Sequence, residues 1–156
     1  MIKIIVFGKI KDKNLKGVND EFVKRMSKFP FLKTNIIEWK DDSVENEMKK
    51  IEEYIIESKK NNEKIILLDE LGKDFSTIEF KNELQGVINE GEEITFFIGG
   101  PEGFPNNWKK EIKEKYSVKM MRVSAMVFTH EMARILLLEQ IYRVGTIEAG
   151  IPYHKA

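Results

Sequence analysis

Short apolar, β-branched runs recur along the chain at residues 2–7, 35–39, 64–69, 94–98 and 118–123, each of a length that suits a strand. Between them the period of the apolar positions becomes helical. Leu15, Val18, Phe22, Met26 and Phe29 form one face, and Met48, Ile51 and Ile55 form another. A third helix is marked at both ends: Ser76 and Glu79 have the spacing of a capping box, Phe80, Leu84, Val87 and Ile88 line one side, and Gly91 can end it. A fourth follows Pro105 and carries Trp108 and Ile112. The last, over residues 131–144, is apolar through Ile135, Leu136, Leu137, Leu138 and Ile141, which predicts burial on more than one side and suits an interface.

Strands alternating with helices, the strands nearly continuous in apolar residues, predict an α/β fold: a mostly parallel sheet with helices on both faces. The 156 residues fit a single domain over 1–156, with no repeat or linker and with the four prolines confined to helix ends and loops. At 42% apolar and 33% charged the chain can bury a sizeable core, which excludes disorder as its main state. There is no apolar run long enough to cross a membrane, and the opening MIKIIVFGKIKDK is a strand-like run followed by lysines rather than a signal peptide, so a cytoplasmic protein is expected. The absence of cysteine excludes disulfides, thiolate catalysis and cysteine zinc sites, and two histidines are too few to suggest a histidine-built metal site.

Formal charge is zero, which argues against coating nucleic acid through bulk electrostatics. The balance is uneven, however. Residues 1–37 carry nine basic and three acidic side chains, residues 38–93 eight and seventeen, and residues 101–156 nine and six. Solvated helix faces and a localised anion-binding surface both account for that division.

Ligands of open α/β sheets gather beyond the carboxyl ends of the strands, which directs attention to three loops. These begin Asp69-Glu70-Leu71-Gly72-Lys73, Gly99-Gly100-Pro101-Glu102-Gly103-Phe104 and Ser124-Ala125-Met126-Val127-Phe128-Thr129-His130. Paired glycines after a buried strand let a ligand approach the backbone, although a plain strand-to-helix turn has the same pattern. The first strand ends Val6-Phe7-Gly8-Lys9 without a dinucleotide fingerprint, and no GxSxG or nucleophile triad is present. Both histidines, His130 and His154, fall near the end of the chain with Arg134, Tyr142, Arg143, Tyr153 and Lys155. Such a group suits proton transfer or anion binding. By position alone, His130 can equally be a helix start capped by Thr129, and residues 153–155 a frayed tail.

Four segments in order, IGGPEGF at 98–104, VSAMVFTHEMAR at 123–134, LEQIYR at 138–143 and PYHK at 152–155, resemble the ribosomal RNA large-subunit methyltransferase H family of the SPOUT class. The resemblance extends to the opening IVFGK, the Leu68-Asp69 and Gly72-Lys73 pairs, and the overall length. It implies a C-terminal trefoil knot, which the usual rules of chain connection would not predict. It also implies a homodimer, S-adenosylmethionine as cofactor, and methyl transfer to N3 of a pseudouridine in helix 69 of 23S rRNA on the assembled ribosome. Carried onto this sequence, the cofactor contacts are Leu68, Gly99 and Val123, Ser124, Ala125, Met126, Val127 and Phe128. His154, Arg134, His130 and Tyr153 become the catalytic candidates, and Lys155, Lys9 and Lys11 the RNA contacts. Thr129 stands where the family often has proline, and Ala156 is an extra residue after the lysine. The competing expectations are a related SPOUT enzyme acting on tRNA and a non-enzymatic α/β module that binds a nucleotide or partner through the glycine loop.

Overall fold

Five parallel strands, β1 (Ile2–Phe7), β2 (Thr34–Trp39), β3 (Lys64–Asp74), β4 (Ile94–Ile98) and β5 (Lys119–Arg122), form one sheet in the order β2-β1-β4-β3-β5. The computed structural model describes residues 1–155; Ala156 lies outside the described residues. The helices are α1 (Lys13–Met26), α2 (Val44–Lys59), α3 (Thr77–Glu83), α4 (Gln85–Glu90), α5 (Asn106–Tyr116) and α6 (His130–Glu148). The strand pleat divides the core in two. Ile2, Ile4 and Val6 of β1, Ile66 and Leu68 of β3, and Phe96 of β4 face α1, α3, α4 and α6, whereas Ile5, Phe7, Ile65, Leu67 and Phe97 face α2 and α5. Phe96 and Phe97 are fully buried on opposite faces, each stabilising the fold by about 1.5–3 kcal/mol.

Two elements differ from the periodicity. The expected third helix is a pair, because the chain breaks at Leu84 before Gly91 ends α4 at φ 70°. Its capping box is present as expected, with Ser76 accepting from the Glu79 N–H and Glu79 accepting from the Ser76 N–H. The third strand runs on past Asp69 to Asp74 and is interrupted by a bulge, so that Leu68 and Lys73 both register with Met121 of β5. Gly72 closes that bulge: a Cβ there would stand 2.5–2.8 Å from the Met121 and Arg122 backbone. The Arg122 guanidinium then grips Asp74 through two hydrogen bonds of 2.6 Å.

Candidate active site

The loops after β3, β4 and β5 meet at one end of the sheet around a cleft of about 700 Å³. Leu68, just before the β3 bulge, and Ile98, at the carboxyl end of β4, make its apolar floor, and the turn from Gly99 to Gly103 makes one wall. The loop 123–128 crosses the mouth. Val123, Ser124, Met126, Val127 and Phe128 line the cleft, while Ala125 is exposed on the loop and does not. Met126 and Val127 are 74% and 77% exposed, an unusual amount of apolar surface to leave open beside a cavity.

Gly99 explains why the glycine loop is closely drawn in. A Cβ at this position would lie 3.3 Å from the Gly103 backbone and from the Phe104 ring, so any side chain here would force the turn to give by a few tenths of an ångström. The cleft therefore presents bare backbone between apolar walls. That combination suits a flat heterocycle held by main-chain hydrogen bonds, and the volume lies in the range of ordinary cofactor sites.

Beneath the cleft is an ion pair that the hydropathy pattern does not single out. Lys109 Nζ donates to both oxygens of Asp69 at 2.9 Å, and Asp69 Oδ1 also accepts from the Leu71 N–H at 3.0 Å. Both side chains are buried, so the carboxylate holds the β3 bulge to α5. The signal in the sequence is a lysine three residues before Ile112, on the helix face that enters the core. Lys109→Met is expected to cost about 3 kcal/mol, because it strands a buried carboxylate; urea unfolding would check it, and an unchanged midpoint would show that the pair contributes little.

The candidate catalytic residues separate into two groups. His130 begins α6, whose N-cap Thr129 accepts from the Met132 N–H, and it lines the cleft. Both readings of His130 thus hold at once: it starts a capped helix and it faces the site. Arg134, one turn on, is instead buried, with its Nε donating to Asn19 Oδ1 and its Nη2 to Glu38 Oε1, each at 2.9 Å. Within one copy it ties α6 to α1 and β2 and does not line the cleft.

Tyr153, beyond the end of α6, folds back against the middle of that helix. The Tyr153 hydroxyl donates to Glu139 Oε1 at 3.0 Å, its ring packs edge-on against Tyr142 at 4.9 Å, and the Arg143 guanidinium lies over it at 4.8 Å. Burial pushes the Tyr153 phenol up from its ordinary value, and its hydrogen bond to Glu139 adds to the effect. The tail is docked rather than frayed. His154 has a buried Nδ1 with no hydrogen-bond partner among the described residues. Glu139 lies nine residues along α6 from His130, about 14 Å of helix, so the tail that packs there does not line the cleft of its own copy.

A second cavity, of about 480 Å³, adjoins the cleft and shares with it the turn from Gly100 to Gly103 and His130. Lys9 and Lys11 line it, beside Asp41, Asp42, Glu47 and Glu102. The two lysines therefore stand next to the cleft, but among carboxylates. The Lys11 N–H donates to Glu131 in the first turn of α6. Burial pushes the Glu47 carboxyl above the usual range, despite the Asp42 N–H that it accepts. Lys155 is exposed on the tail. Among the described residues no three His, Cys, Asp or Glu side chains converge as a metal site, and no helix is long and apolar enough to cross a membrane.

Comparison with known proteins gives a consistent result. The chain is 37% identical over 158 residues to ribosomal RNA large subunit methyltransferase H of Flavobacterium johnsoniae, covering 98% of each chain. It is 38% identical over 164 residues to the protein of that name from Clostridium botulinum strain Kyoto, covering 99% of each. With that of Caldicellulosiruptor saccharolyticus it shares 35% over 159 residues, covering 99% of this chain and 100% of the other. The crystal structure of a candidate RNA methyltransferase from Bacillus anthracis has the same fold at a TM-score of 0.57 and 12% identity, covering 99% of this chain and 100% of that one. The family model described as "Predicted SPOUT methyltransferase" matches residues 1–154, so every strand of the sheet, both loops that wall the cleft and the docked tail fall inside it: the chain belongs to the SPOUT methyltransferase family.

Proposed function

We propose that this protein transfers a methyl group from S-adenosylmethionine to N3 of a pseudouridine in helix 69 of 23S rRNA, on the assembled ribosome. The observation that carries the RNA target is the likeness, over nearly the whole chain, to three proteins named ribosomal RNA large subunit methyltransferase H. The particular nucleotide and the assembled ribosome follow the resemblance of the glycine-loop, knot-loop and tail motifs to that family. Such a substrate places the reaction in the cytoplasm.

The residues of the cleft fit the cofactor. Leu68, Ile98, Val123 and Phe128 supply apolar walls for adenine, and Gly99 and its neighbours supply backbone at close range. S-adenosylmethionine, when bound, provides an electrophilic methyl group on a sulfonium. Methyl transfer then needs the target nitrogen in line at about 3–3.5 Å, so much of the rate comes from positioning. The N3 proton must also leave. His130 is the cleft-lining imidazole of the same copy, and it is placed to accept that proton or to hold a nearby carbonyl.

His154, Tyr153 and Lys155 enter this scheme through a homodimer. The tail packs against the middle of α6, away from its own cleft. A second copy is the route by which such a tail reaches a cleft, Tyr153 orienting the base, His154 assisting proton loss and Lys155 meeting phosphate. Arg134 holds α6 in place beneath His130.

The test is methylation of ribosomes purified from cells lacking the modification, with S-adenosylmethionine binding measured by equilibrium dialysis and particle mass by light scattering. Saturable binding to a dimer and methyl incorporation at the pseudouridine are expected. Methylated tRNA with indifference to ribosomes would replace the target, and binding without transfer to any RNA would replace the enzyme with a binding module.

A further inference from the structure

We propose that Glu139 positions the C-terminal tail for methyl transfer: its carboxylate, set in place by Gln140 and Arg143, takes the Tyr153 hydroxyl and thereby fixes where His154 is presented. This rests on the reading of a methyl-transfer site shared between two copies and adds a residue to it. The tail leaves α6 through Gly150 at φ 65°, and the Ile151 N–H donates to the Thr146 carbonyl at 2.9 Å. From there the chain turns back along the helix. The Tyr153 N–H donates to the Ile151 carbonyl at 2.8 Å, and its hydroxyl reaches Glu139 Oε1 at 3.0 Å. Tyr153 is the last residue of the tail with a hydrogen bond among the described residues, and His154 is the next along the chain.

Three side chains hold the Tyr153 ring. The Arg143 guanidinium lies over its face at 4.8 Å, Tyr142 meets it edge-on at 4.9 Å, and Glu139 takes the hydroxyl. The carboxylate is itself oriented, because Oε1 also accepts from Arg143 Nη2 and Oε2 accepts from Gln140 Nε2 at 2.7 Å. Gln140 in turn accepts from the Thr77 hydroxyl at 2.9 Å, so the network reaches α3. Tyr142 is fixed in the same way, its ring 5.9 Å from both Phe22 and Phe29.

An ion pair between residues four apart on a helix contributes little to stability, and Glu139 with Arg143 is such a pair, partly exposed. What the network does supply is direction. Each donor on the carboxylate removes a way for it to swing, and charge-assisted hydrogen bonds hold geometry better than neutral ones. Burial and the bond to Glu139 push the Tyr153 phenol up from its ordinary value, so near neutral pH it stays protonated and donating. Glu139 does not line the cleft of its own copy, so it acts through the tail and not on cofactor or base. A reacting group misplaced by about 1 Å can cost a hundredfold in rate, and an anchor one residue before His154 is where such precision is set.

The experiment compares wild type with Glu139→Ala and Tyr153→Phe on ribosomes lacking the modification. The first removes the anchor, and the second removes only the hydroxyl it holds. Both are expected to bind S-adenosylmethionine with wild-type affinity and to unfold at nearly the wild-type temperature, while kcat falls about tenfold to a hundredfold and KM for ribosomes changes little. Because both act through one hydrogen bond, the double variant is expected to be no slower than Glu139→Ala. Mixed dimers then locate the defect. Chains of either variant should regain activity with Gly99→Arg chains, whose tails are sound, and none with His154→Ala chains, whose tails are not. Undiminished kcat in both single variants, effects that multiply in the double variant, or recovery with His154→Ala chains and not with Gly99→Arg chains overturns the role of Glu139. Failure of Gly99→Arg and His154→Ala chains to restore one another, or a wild type inactive on ribosomes, overturns the parent reading instead.

Discussion

Gly72→Val should yield no folded protein, and Gly72→Ala a protein that unfolds roughly 10 °C or more below wild type. The atoms that a Cβ at Gly72 would meet are the Met121 nitrogen and carbonyl carbon and the Arg122 nitrogen, at 2.5–2.8 Å. These are backbone atoms of a strand paired on both sides of the bulge, to Leu68 and to Lys73, so they cannot rotate away as a side chain could. Relief requires β5 to leave β3. That separation would open the cleft floor and unseat the Arg122–Asp74 contact as well. Valine adds two further methyl groups to the same collision, and the cost approaches the whole stability of a domain, typically about 5–15 kcal/mol. Gly17 is the matched control, an exposed glycine within α1 whose Cβ would meet nothing within 4 Å. Gly17→Ala should stabilise by up to about 1 kcal/mol. Thermal unfolding of the two alanine variants side by side should therefore give shifts of opposite sign. A Gly72→Ala midpoint equal to that of wild type would mean that the two strands do not approach as closely as described.

Gly72 also marks where sequence reading stops. The bounds of β1 and β4 follow from their mostly apolar runs, because both strands are largely buried and only Lys3 and Thr95 interrupt the apolar residues. The end of β3 does not follow, since its second half exists only by pairing with a strand some fifty residues later. Strand order is hidden for the same reason: crossovers are settled by long-range packing, and no local pattern records them. The break at Leu84 is equally silent, as Phe80, Leu84 and Val87 keep a helical period through it. In the site, the loops were legible because function gathers at strand ends, but the partition of their residues was not. His130 and His154 look like one cluster in sequence, yet α6 holds them apart; Arg134 looks reactive, yet is spent on Asn19 and Glu38. Lys109 was missed although it breaks the apolar helix face that carries Ile112. A buried charge on such a face is a signal worth reading, because it needs a partner or a ligand.

Mixing two inactive variants should restore activity if each site is built from two copies. Gly99→Arg crowds the cleft: its Cβ alone would press on the Gly103 backbone and the Phe104 ring at 3.3 Å, both part of the cleft lining, and the long side chain adds bulk at that wall. Binding of S-adenosylmethionine should disappear, by at least about a hundredfold in affinity, as expected when a pocket is occupied by its own wall. His154→Ala should leave that binding intact, because His154 does not line the cleft, but should lower turnover strongly. Its stability should change little, since the imidazole Nδ1 has no partner to lose among the described residues. In a mixed dimer, the His154→Ala copy brings an intact cleft and the Gly99→Arg copy an intact tail, so one of the two sites is whole and the other carries both defects. Equal mixing makes about half of the dimers mixed, and recovery should approach about one quarter of wild-type activity. Tagging the two chains differently shows that mixed dimers have formed. If they have, and activity stays at the level of either parent, each copy works with its own residues alone and the site shared between two copies is refuted.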